Sequence, residues 1–240
     1  MQNRYIGDIH DFYKFIFLKS LSKSINEKVG LNWYLNDPSK IGEKEIKLND
    51  GENRKYLDTD NYRRIDEEIS QEMLLLKNKK NRSLENFTKK SHLKKFIHFF
   101  NEELNVDNRE TWFSQSINKF KSTNIIFLDP DNGLVPKKVS KKRKVKYLFH
   151  QEIKKLYLKK KSIIFCQFQS FNLKHQIMIE RKILDIYHET KLKVNCPVIR
   201  NRSSPNTFFI PIIQEEYKNK VKNFLKDYVK HLDKVDLINF

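Results

Sequence analysis

NIIFLDPDNG, residues 124–133, joins an apolar run directly to a polar turn. The run at 124–128 is continuous, as expected of a parallel strand that is buried on both faces. The turn combines two carboxylates and an amide with Pro130 and Gly133, residue types that favour tight turns. Ligands of such sheets bind beyond the carboxyl ends of the strands. The loop at 129–133 is therefore the first candidate for a functional site, and a purely structural turn is the alternative.

Apolar runs and helical patterns alternate on both sides of this stretch. Further strands are predicted near 31–35, 162–168, 193–200 and 207–213, and helices near 8–28, 61–77, 107–121, 146–159, 173–189 and 215–232. This alternation indicates an α/β fold with one mostly parallel sheet that is covered by helices on both faces. The short connection between the last two strands predicts a C-terminal antiparallel pair at the edge of the sheet.

The chain is expected to form a single α/β domain over residues 1–240, with an irregular insertion at about 36–90. Asn49, Asp50 and Gly51 mark a turn within that insertion. The segment HLKKFIHFF at 92–100 fits either a strand or a helix.

Composition excludes several functional classes. The five glycines lie far apart, so no glycine-rich phosphate loop can form, and the GxSxG and HExxH motifs are absent. Two cysteines exclude a disulfide scaffold and a four-cysteine zinc site. The sequence has no hydrophobic run of membrane-spanning length and no signal-peptide pattern, which predicts a cytoplasmic protein without membrane contact.

A second motif lies near the N-terminus, in YIGDIHDFYKF at 5–15. Gly7, Asp11 and Lys14 are spaced Gly-x3-Asp-x2-Lys, and Asp8 is placed to cap the helix that follows. With this motif and the Asp-Pro loop after an apolar strand, the chain resembles class I S-adenosylmethionine-dependent methyltransferases, with the closest similarity to the 23S ribosomal RNA adenine-N6 methyltransferase family. It also resembles a group of uncharacterised bacterial and phage proteins through YIGDI, WYL and FLDPDNG.

The methyltransferase resemblance implies a Rossmann-like sheet, S-adenosylmethionine as cofactor and methyl transfer to a base amine. It implies catalytic roles at the Asp-Pro loop, with Asp129 polarising the amine, and with Asp131 and Asn132 beside it. It implies cofactor contacts from Gly7, Asp8, Asp11, Lys14, Trp33 and Tyr34. The N-terminal motif, read with this resemblance, predicts that Asp8, Asp11 and Lys14 lie near the loop at 129–133 and form the main polar pocket with it. The chain departs from the family pattern where Asp131 and Asn132 replace a proline and an aromatic residue, and where Asn36 to Ser39 replace a glycine-rich loop.

The acidic residues support an alternative of another class. If Asp8 and Asp11 lie near Asp129 and Asp131, the four carboxylates could bind Mg²⁺ or Mn²⁺ and hydrolyse phosphodiesters, as in a metal-dependent nuclease. A third hypothesis is a catalytically silent nucleic-acid-binding protein on a degenerate enzyme fold.

Nucleic acid, either RNA or DNA, is the partner that the charge favours. The formal net charge is +18, and the densest basic run is PKKVSKKRKVK at 136–146. Its candidate phosphate contacts are Lys137, Lys138, Lys141, Lys142, Arg143 and Lys144. The alternative for this run is a solvated surface loop.

Overall fold

One seven-stranded sheet organises the computed structural model, which describes residues 1–48 and 53–240. The strands are β1 (Val29–Asn32), β2 (Ile97–Phe100), β3 (Ile125–Leu128), β4 (Ser162–Phe168), β5 (Val198–Asn201), β6 (Thr207–Ile212) and β7 (Val235–Ile238). The α-helices of the described residues are α1 (Ile9–Ile25), α2 (Pro38–Ile41), α3 (Glu43–Ile46), α4 (Asp60–Arg63), α5 (Glu67–Leu75), α6 (Leu84–Lys90), α7 (Arg109–Lys119), α8 (His150–Leu158), α9 (His175–Thr190) and α10 (Glu215–Tyr228).

The strand order is β2-β1-β3-β4-β6-β5-β7. The first four strands in this order are parallel, whereas β6 is antiparallel to β4, β5 to β6, and β7 to β5. The predicted α/β class with a sheet that is mostly parallel in its core is therefore confirmed. None of the helices in the described residues combines the length and apolar character needed to span a bilayer.

Two strands differ from the sequence prediction. The ambiguous segment at 92–100 contributes β2, and β7 was not predicted at all. Because β7 pairs with β5, the antiparallel pair formed by β5 and β6 does not lie at the edge of the sheet. β7 is only four residues long and comes shortly after α10, so its apolar alternation was missed.

Several helices and strands end at other residues than predicted, because of local polar contacts. β1 ends at Asn32 instead of residue 35, because the Asn32 Oδ1 atom accepts a hydrogen bond from the Tyr34 amide at 3.1 Å and Tyr34 adopts a positive φ of 48°. α1 ends at Ile25 and is shorter than the helix predicted at 8–28, because Asn26 follows it with a left-handed φ of 58°. Gly30, which was expected to end that helix, lies inside β1. The helix predicted at 61–77 is split into α4 and α5, because Asp66 caps a new helix.

The insertion predicted as irregular carries the short helices α2 to α6. Side chains of Asp37, Asp66 and Ser83 cap three of them, so short-range capping rather than apolar periodicity organises this region. The turn predicted at 49–51 lies outside the described residues.

The sheet separates two hydrophobic cores. One core contains α1, α5, α6 and α10 together with Leu31, Phe127 and Ile164 of the strands. The other contains α7, α8 and α9 together with Ile126 and Phe165. Successive strand residues point to opposite cores, so both faces of the central strands are buried, as their continuous apolar sequences require.

This topology creates a crevice at the carboxyl ends of the central strands. From β1 the chain passes to β2 on one side and later returns to β3 on the other side of β1. The loops that follow β1 and β3 therefore diverge, and such a switch in direction is where open α/β sheets bind ligands. The loop at 129–133 follows β3 at this point.

Phe17 of α1 provides a test of this packing. Its ring is fully buried and contacts the rings of Phe127, Phe209, Phe224 and Tyr228. We expect Phe17→Ala to lower the free energy of unfolding by about 3–5 kcal/mol in urea denaturation, because a large core cavity results. Leu184→Ala, at a side chain on α9 that is 56% exposed, is the control and should cost under about 0.5 kcal/mol. Equal costs for the two variants would contradict the arrangement.

Candidate active site

A cavity of about 420 Å³ lies at the carboxyl ends of β3 and β4. Its volume falls within the range of roughly 300–1,000 Å³ that is typical of small-molecule sites. It is lined by Met1, Tyr5, Asp8, His10, Asp11, Lys14, Asp129, Pro130, Asp131, Asn132, Lys146, Phe168, Gln169, Phe171 and Pro205. The N-terminal motif and the Asp-Pro loop are thus adjacent, as the sequence predicted.

The N-terminal motif is held together by local hydrogen bonds. The Gly7 amide donates to Asp11 Oδ2 at 2.8 Å, and the Lys14 ammonium donates to Asp11 Oδ1 at 2.6 Å. Gly7 has a positive φ of 81°, and a Cβ atom there would lie 2.7 Å from Leu76 Cβ. Glycine is required at this position because of the turn and the close packing, so Gly7 positions Asp11 and does not itself line the cavity.

Lys14 also connects this motif to the sheet. Its ammonium donates to Asp129 Oδ2 at 2.6 Å, and all three charged side chains are buried. Burial opposes the charge on Lys14, but the carboxylates of Asp11 and Asp129 outweigh that effect and raise the pKa of the ammonium. Burial raises the pKa of Asp129, and the Lys14 ammonium limits the rise. Lys14 therefore stays charged, and Asp129 keeps one oxygen that accepts no hydrogen bond from the described residues.

Asp8 is a second carboxylate at the cavity with spare hydrogen-bonding capacity. Its Oδ1 atom caps α1 by accepting hydrogen bonds from the amides of His10 at 2.9 Å and Asp11 at 3.0 Å. No cationic group of the described residues forms an ion pair with it. Burial raises the pKa of Asp8 well above its ordinary value, and the neighbouring Asp11 carboxylate raises it further. Asp8 is thus suited to accept and hold a proton.

Asp131 fixes the far side of the loop. Its carboxylate forms an ion pair with the α-ammonium of Met1 and lies 3.9 Å from the Lys146 ammonium, which also pairs with the buried Glu45. Burial would raise the pKa of Asp131, but the two cations lower it overall. Asp131 is therefore committed to holding the loop, whereas Asn132 lines the cavity and is held through its amide, which donates to the Lys146 carbonyl at 2.9 Å.

Gly133 closes the loop against β4. The side chain of Gln167 accepts a hydrogen bond from the Leu134 amide at 2.9 Å, directly beside Gly133. Gly133 has a positive φ of 79°, and a Cβ atom there would lie 2.2 Å from Gln167 Oε1. Only glycine fits this approach, so the turn residues of the Asp-Pro loop do build a turn. The same turn also presents Asp129 and Asn132 to the cavity.

His10 is a site residue that the sequence analysis missed. It is only 7% exposed, its Nδ1 atom lies 3.2 Å from Ser203 Oγ, and its ring packs edge-on against Phe168. Its Nε2 atom is buried and has no hydrogen-bond partner among the described residues. Burial, together with the Lys14 charge, lowers the pKa of His10 to about 4, so its imidazole is neutral at pH 7.

Trp33 and Tyr34 lie outside the cavity lining. Trp33 is fully buried beneath Lys14, whose ammonium lies 5.1 Å from the indole ring centre. Tyr34 is buried in the opposite core, and its hydroxyl donates to Glu152 Oε2 at 3.1 Å. The aromatic side chains at the cavity are instead those of Tyr5, Phe168 and Phe171. Phe168 ends β4 and Phe171 closely follows it, so the carboxyl-end rule that singled out Asp129 would also have found them.

The four carboxylates do not converge as the metal hypothesis requires. Lys14 lies between Asp11 and Asp129, and Asp131 is paired elsewhere. In residues 1–48 and 53–240, no group of three or more histidine, cysteine, aspartate or glutamate side chains is arranged to hold a metal ion. The nuclease hypothesis stays a prediction that no observation of the site favours.

The basic run divides into an exposed part and a buried end. The side chains proposed to contact phosphate, at residues 137, 138 and 141–144, are exposed, whereas Lys146 is buried at the cavity. Residues Lys141–Lys146 form a 3₁₀ helix, and the Leu148 amide just beyond it donates to the Gly133 carbonyl at 2.9 Å. The exposed cations are therefore carried by a segment attached to the Asp-Pro loop.

Comparison with known proteins adds no relative. No protein-family model matches the chain, and no curated protein is significantly similar to it in sequence.

The burial of neutral His10 predicts how stability depends on pH. In the unfolded chain its imidazole takes up a proton near its ordinary value of 6.5, but in the folded chain only near 4. The unfolded state therefore binds more protons in this interval, and stability should fall as the pH falls from about 6.5 to 4. In urea denaturation, the free energy of unfolding of His10→Phe minus that of wild type should increase by about 3 kcal/mol from pH 7 to pH 4.

His188→Phe is the matched control for this prediction, because His188 is exposed on α9. Its stability should follow that of wild type across the same pH interval. If His10→Phe also runs parallel to wild type, then His10 takes up its proton at the same pH in the folded and unfolded states, and the description of the site is wrong.

Proposed function

We propose that the protein is a nucleic-acid-modifying enzyme that transfers a methyl group to the exocyclic amine of a base, with the cavity as its reaction site. The observation that carries the proposal is Asp129, a buried carboxylate fixed by Lys14 at the switch point of the sheet with one oxygen left to accept a hydrogen bond. An amine N–H is the natural donor to such an oxygen. The choice of a methyl group comes from the resemblance of the sequence to methyltransferases.

The charges at the cavity fit S-adenosylmethionine in part. This cofactor carries a sulfonium cation, and Asp8 supplies a carboxylate at the cavity that forms no ion pair with the described residues, although the charges of Lys14 and Arg54 partly offset the rise of its pKa. Of the residues expected to contact it, Asp8, Asp11 and Lys14 line the cavity, and Gly7 supports Asp11. Trp33 and Tyr34 do not line it, so the aromatic contacts would come from Tyr5, Phe168 or Phe171. When bound, the cofactor would supply the methyl group.

The residues of the chain would orient the amine and remove its proton. Asp129 would accept a hydrogen bond from the amine and stabilise the positive charge that develops on nitrogen during attack. Asn132, at the same cavity, would hold the base edge. Methylation leaves the nitrogen with one proton in excess, and Asp8, which lines the same cavity and whose pKa is raised by burial, would take that proton on the oxygen that does not cap α1.

Binding and transfer can be measured separately. S-adenosylmethionine at millimolar concentration should raise the melting temperature of the wild-type protein, because a ligand that binds only the folded state stabilises it. Asp129→Asn should melt at a lower temperature than wild type, because Lys14 keeps only the Asp11 carboxylate, but the cofactor should still raise its melting temperature. Its methyl transfer to single-stranded RNA or DNA oligonucleotides should fall by about 100-fold, because an amide cannot stabilise the developing charge. Transfer is followed with cofactor labelled on the methyl group.

Asp227→Asn is the control, because Asp227 is exposed on α10 and does not line the cavity. It should leave both binding and transfer unchanged. The absence of thermal stabilisation by the cofactor, or full transfer by Asp129→Asn, would exclude the proposal. Nucleic-acid binding without either effect would favour the catalytically silent binding protein.

The exposed basic segment predicts the salt dependence of nucleic-acid binding. Replacing Lys141, Lys142, Arg143 and Lys144 together by Ser should reduce the slope of log affinity against log salt concentration by roughly two to four, since each phosphate contact contributes a little under one. Binding should weaken similarly for different sequences, because phosphate contacts do not read bases. Fluorescence anisotropy over a salt series measures both effects.

A matched control replaces Lys89, Lys90, Lys94 and Lys95 by Ser. These four lysines are exposed and do not line the cavity: Lys89 and Lys90 end α6, and Lys94 and Lys95 lie just before the amino end of β2. The net charge changes equally in the two quadruple variants. Equal slopes for both would mean that the basic run at the cavity acts only through overall charge.

A further inference from the structure

Phe171 is an exposed aromatic side chain at the cavity. It is 80% exposed, the highest value among the large apolar side chains of the described residues, and it lines the cavity together with Phe168 and Pro205. The chain has no aromatic residue in the Asp-Pro loop itself, where Asp131 and Asn132 follow Pro130. A ring that is left in water at the mouth of a partly apolar cavity is a surface on which another ring can stack.

The backbone beneath Phe171 is anchored. The Gln169 amide donates to the Asn206 carbonyl at 2.9 Å, and Gln169 Oε1 accepts hydrogen bonds from the Asn206 amide and side chain. The Ser170 amide contacts Met178 Sδ at 3.2 Å. The two residues before Phe171 are thus fixed to the loop after β5 and to α9, so the ring is presented from a preorganised support, which reduces the entropy lost on binding.

The surroundings of Phe171 specify what could cover it. Inside the cavity, Asp8 and Asp129 offer carboxylate oxygens as acceptors, and outside it the exposed cations at 141–144 lie on a segment attached to the same loop. A ligand that matches all three features has a planar ring, an amino group and a phosphate. A nucleobase that has left its stack within a nucleic-acid strand has this combination.

We infer that Phe171 stacks on the substrate base and so determines specificity for a planar ring. This inference rests on the proposed function for the identity of the substrate. Phe171 would hold the ring at the mouth while Asp129 accepts from its amino group, so it binds substrate without taking part in proton or methyl transfer.

A tryptophan at this position reports stacking directly. The chain has two tryptophans, Trp33 and Trp112, which are 0% and 1% exposed, so the emission of Phe171→Trp above wild type comes from position 171. Adenosine and cytidine monophosphates should quench this emission saturably, because their rings stack on the indole. Ribose 5-phosphate, which has no ring to stack, should not quench it. S-adenosylmethionine is the fourth ligand and distinguishes a cofactor ring from a substrate ring.

Affinity gives a second measure of the same contact. Phe171→Ala should weaken binding of the monophosphates by about tenfold in calorimetric titration, within the range known for base stacking on aromatic side chains. Phe171→Leu keeps most of the apolar area but not the ring and should weaken binding by a smaller factor. Leu184→Ala, at an exposed apolar side chain on α9, should leave the affinity unchanged.

Four results would overturn the inference: no binding of the monophosphates, binding without quenching in Phe171→Trp, unchanged affinity in Phe171→Ala, or quenching by S-adenosylmethionine alone. These results are separable from failure of the proposed function. Quenching by the monophosphates without any methyl transfer would support the stacking site and reject the transferase. Methyl transfer at an unchanged rate and KM in Phe171→Ala would support the transferase and reject the stacking site.

Discussion

The buried contact of Lys14 with Asp11 and Asp129 determines the arrangement of the whole site. It joins the second turn of α1 to the residue that follows β3, and Lys14 and Asp129 are 115 positions apart in the chain. Removing one partner from a buried pair leaves an uncompensated charge and costs roughly 3–5 kcal/mol in other proteins. Lys14 is therefore confined to the one position where both carboxylates reach it. Trp33 lies beneath its ammonium and excludes water from that side.

The rest of the cavity is built outward from this contact by anchored loops. Asp131 and Lys146 hold the far side of the Asp-Pro loop, Gln167 holds its end at Leu134, and Gln169 with Asn206 holds the segment after β4. Each of these contacts connects a loop near the carboxyl ends of the strands to a neighbouring segment of the chain. The charged and aromatic side chains at the cavity are consequently presented by fixed backbone, which is the condition for orienting a substrate.

The sequence predicted those parts of the molecule whose signals are local. The apolar runs of β3 and β4 identified buried strands, and the cap of Asp8 marked the start of α1. The adjacency of α1 and the Asp-Pro loop was also anticipated, from the N-terminal motif read with its resemblance to the methyltransferases. The prediction was wrong where contacts with residues distant in sequence determine the position of a side chain. Trp33 and Tyr34 were expected at the cavity, but each is buried in a hydrophobic core instead.

His10 and Phe171 show why the remaining site residues were not predictable in this way. The local sequence does not show whether a histidine on a helix lines a cavity or packs in the core. The contacts that place His10 at the cavity are with Ser203 and Phe168, which are distant in the chain. Phe171 follows a strand, where an apolar residue is normally buried, and its exposure depends on the course of the loop around Gln169.

Three features that oppose stability occur together at the cavity. Among the described residues, the buried Asp8 carboxylate has no ion-pair partner and the buried Nε2 atom of His10 has no hydrogen bond, while Phe171 exposes an aromatic ring to water. Each of these arrangements is unfavourable for folding taken alone. A purely structural ion-pair network would explain Lys14 and Asp129 but none of these three. Their location around a single cavity is what a ligand site requires, since a bound ligand can satisfy the carboxylate and cover the ring together.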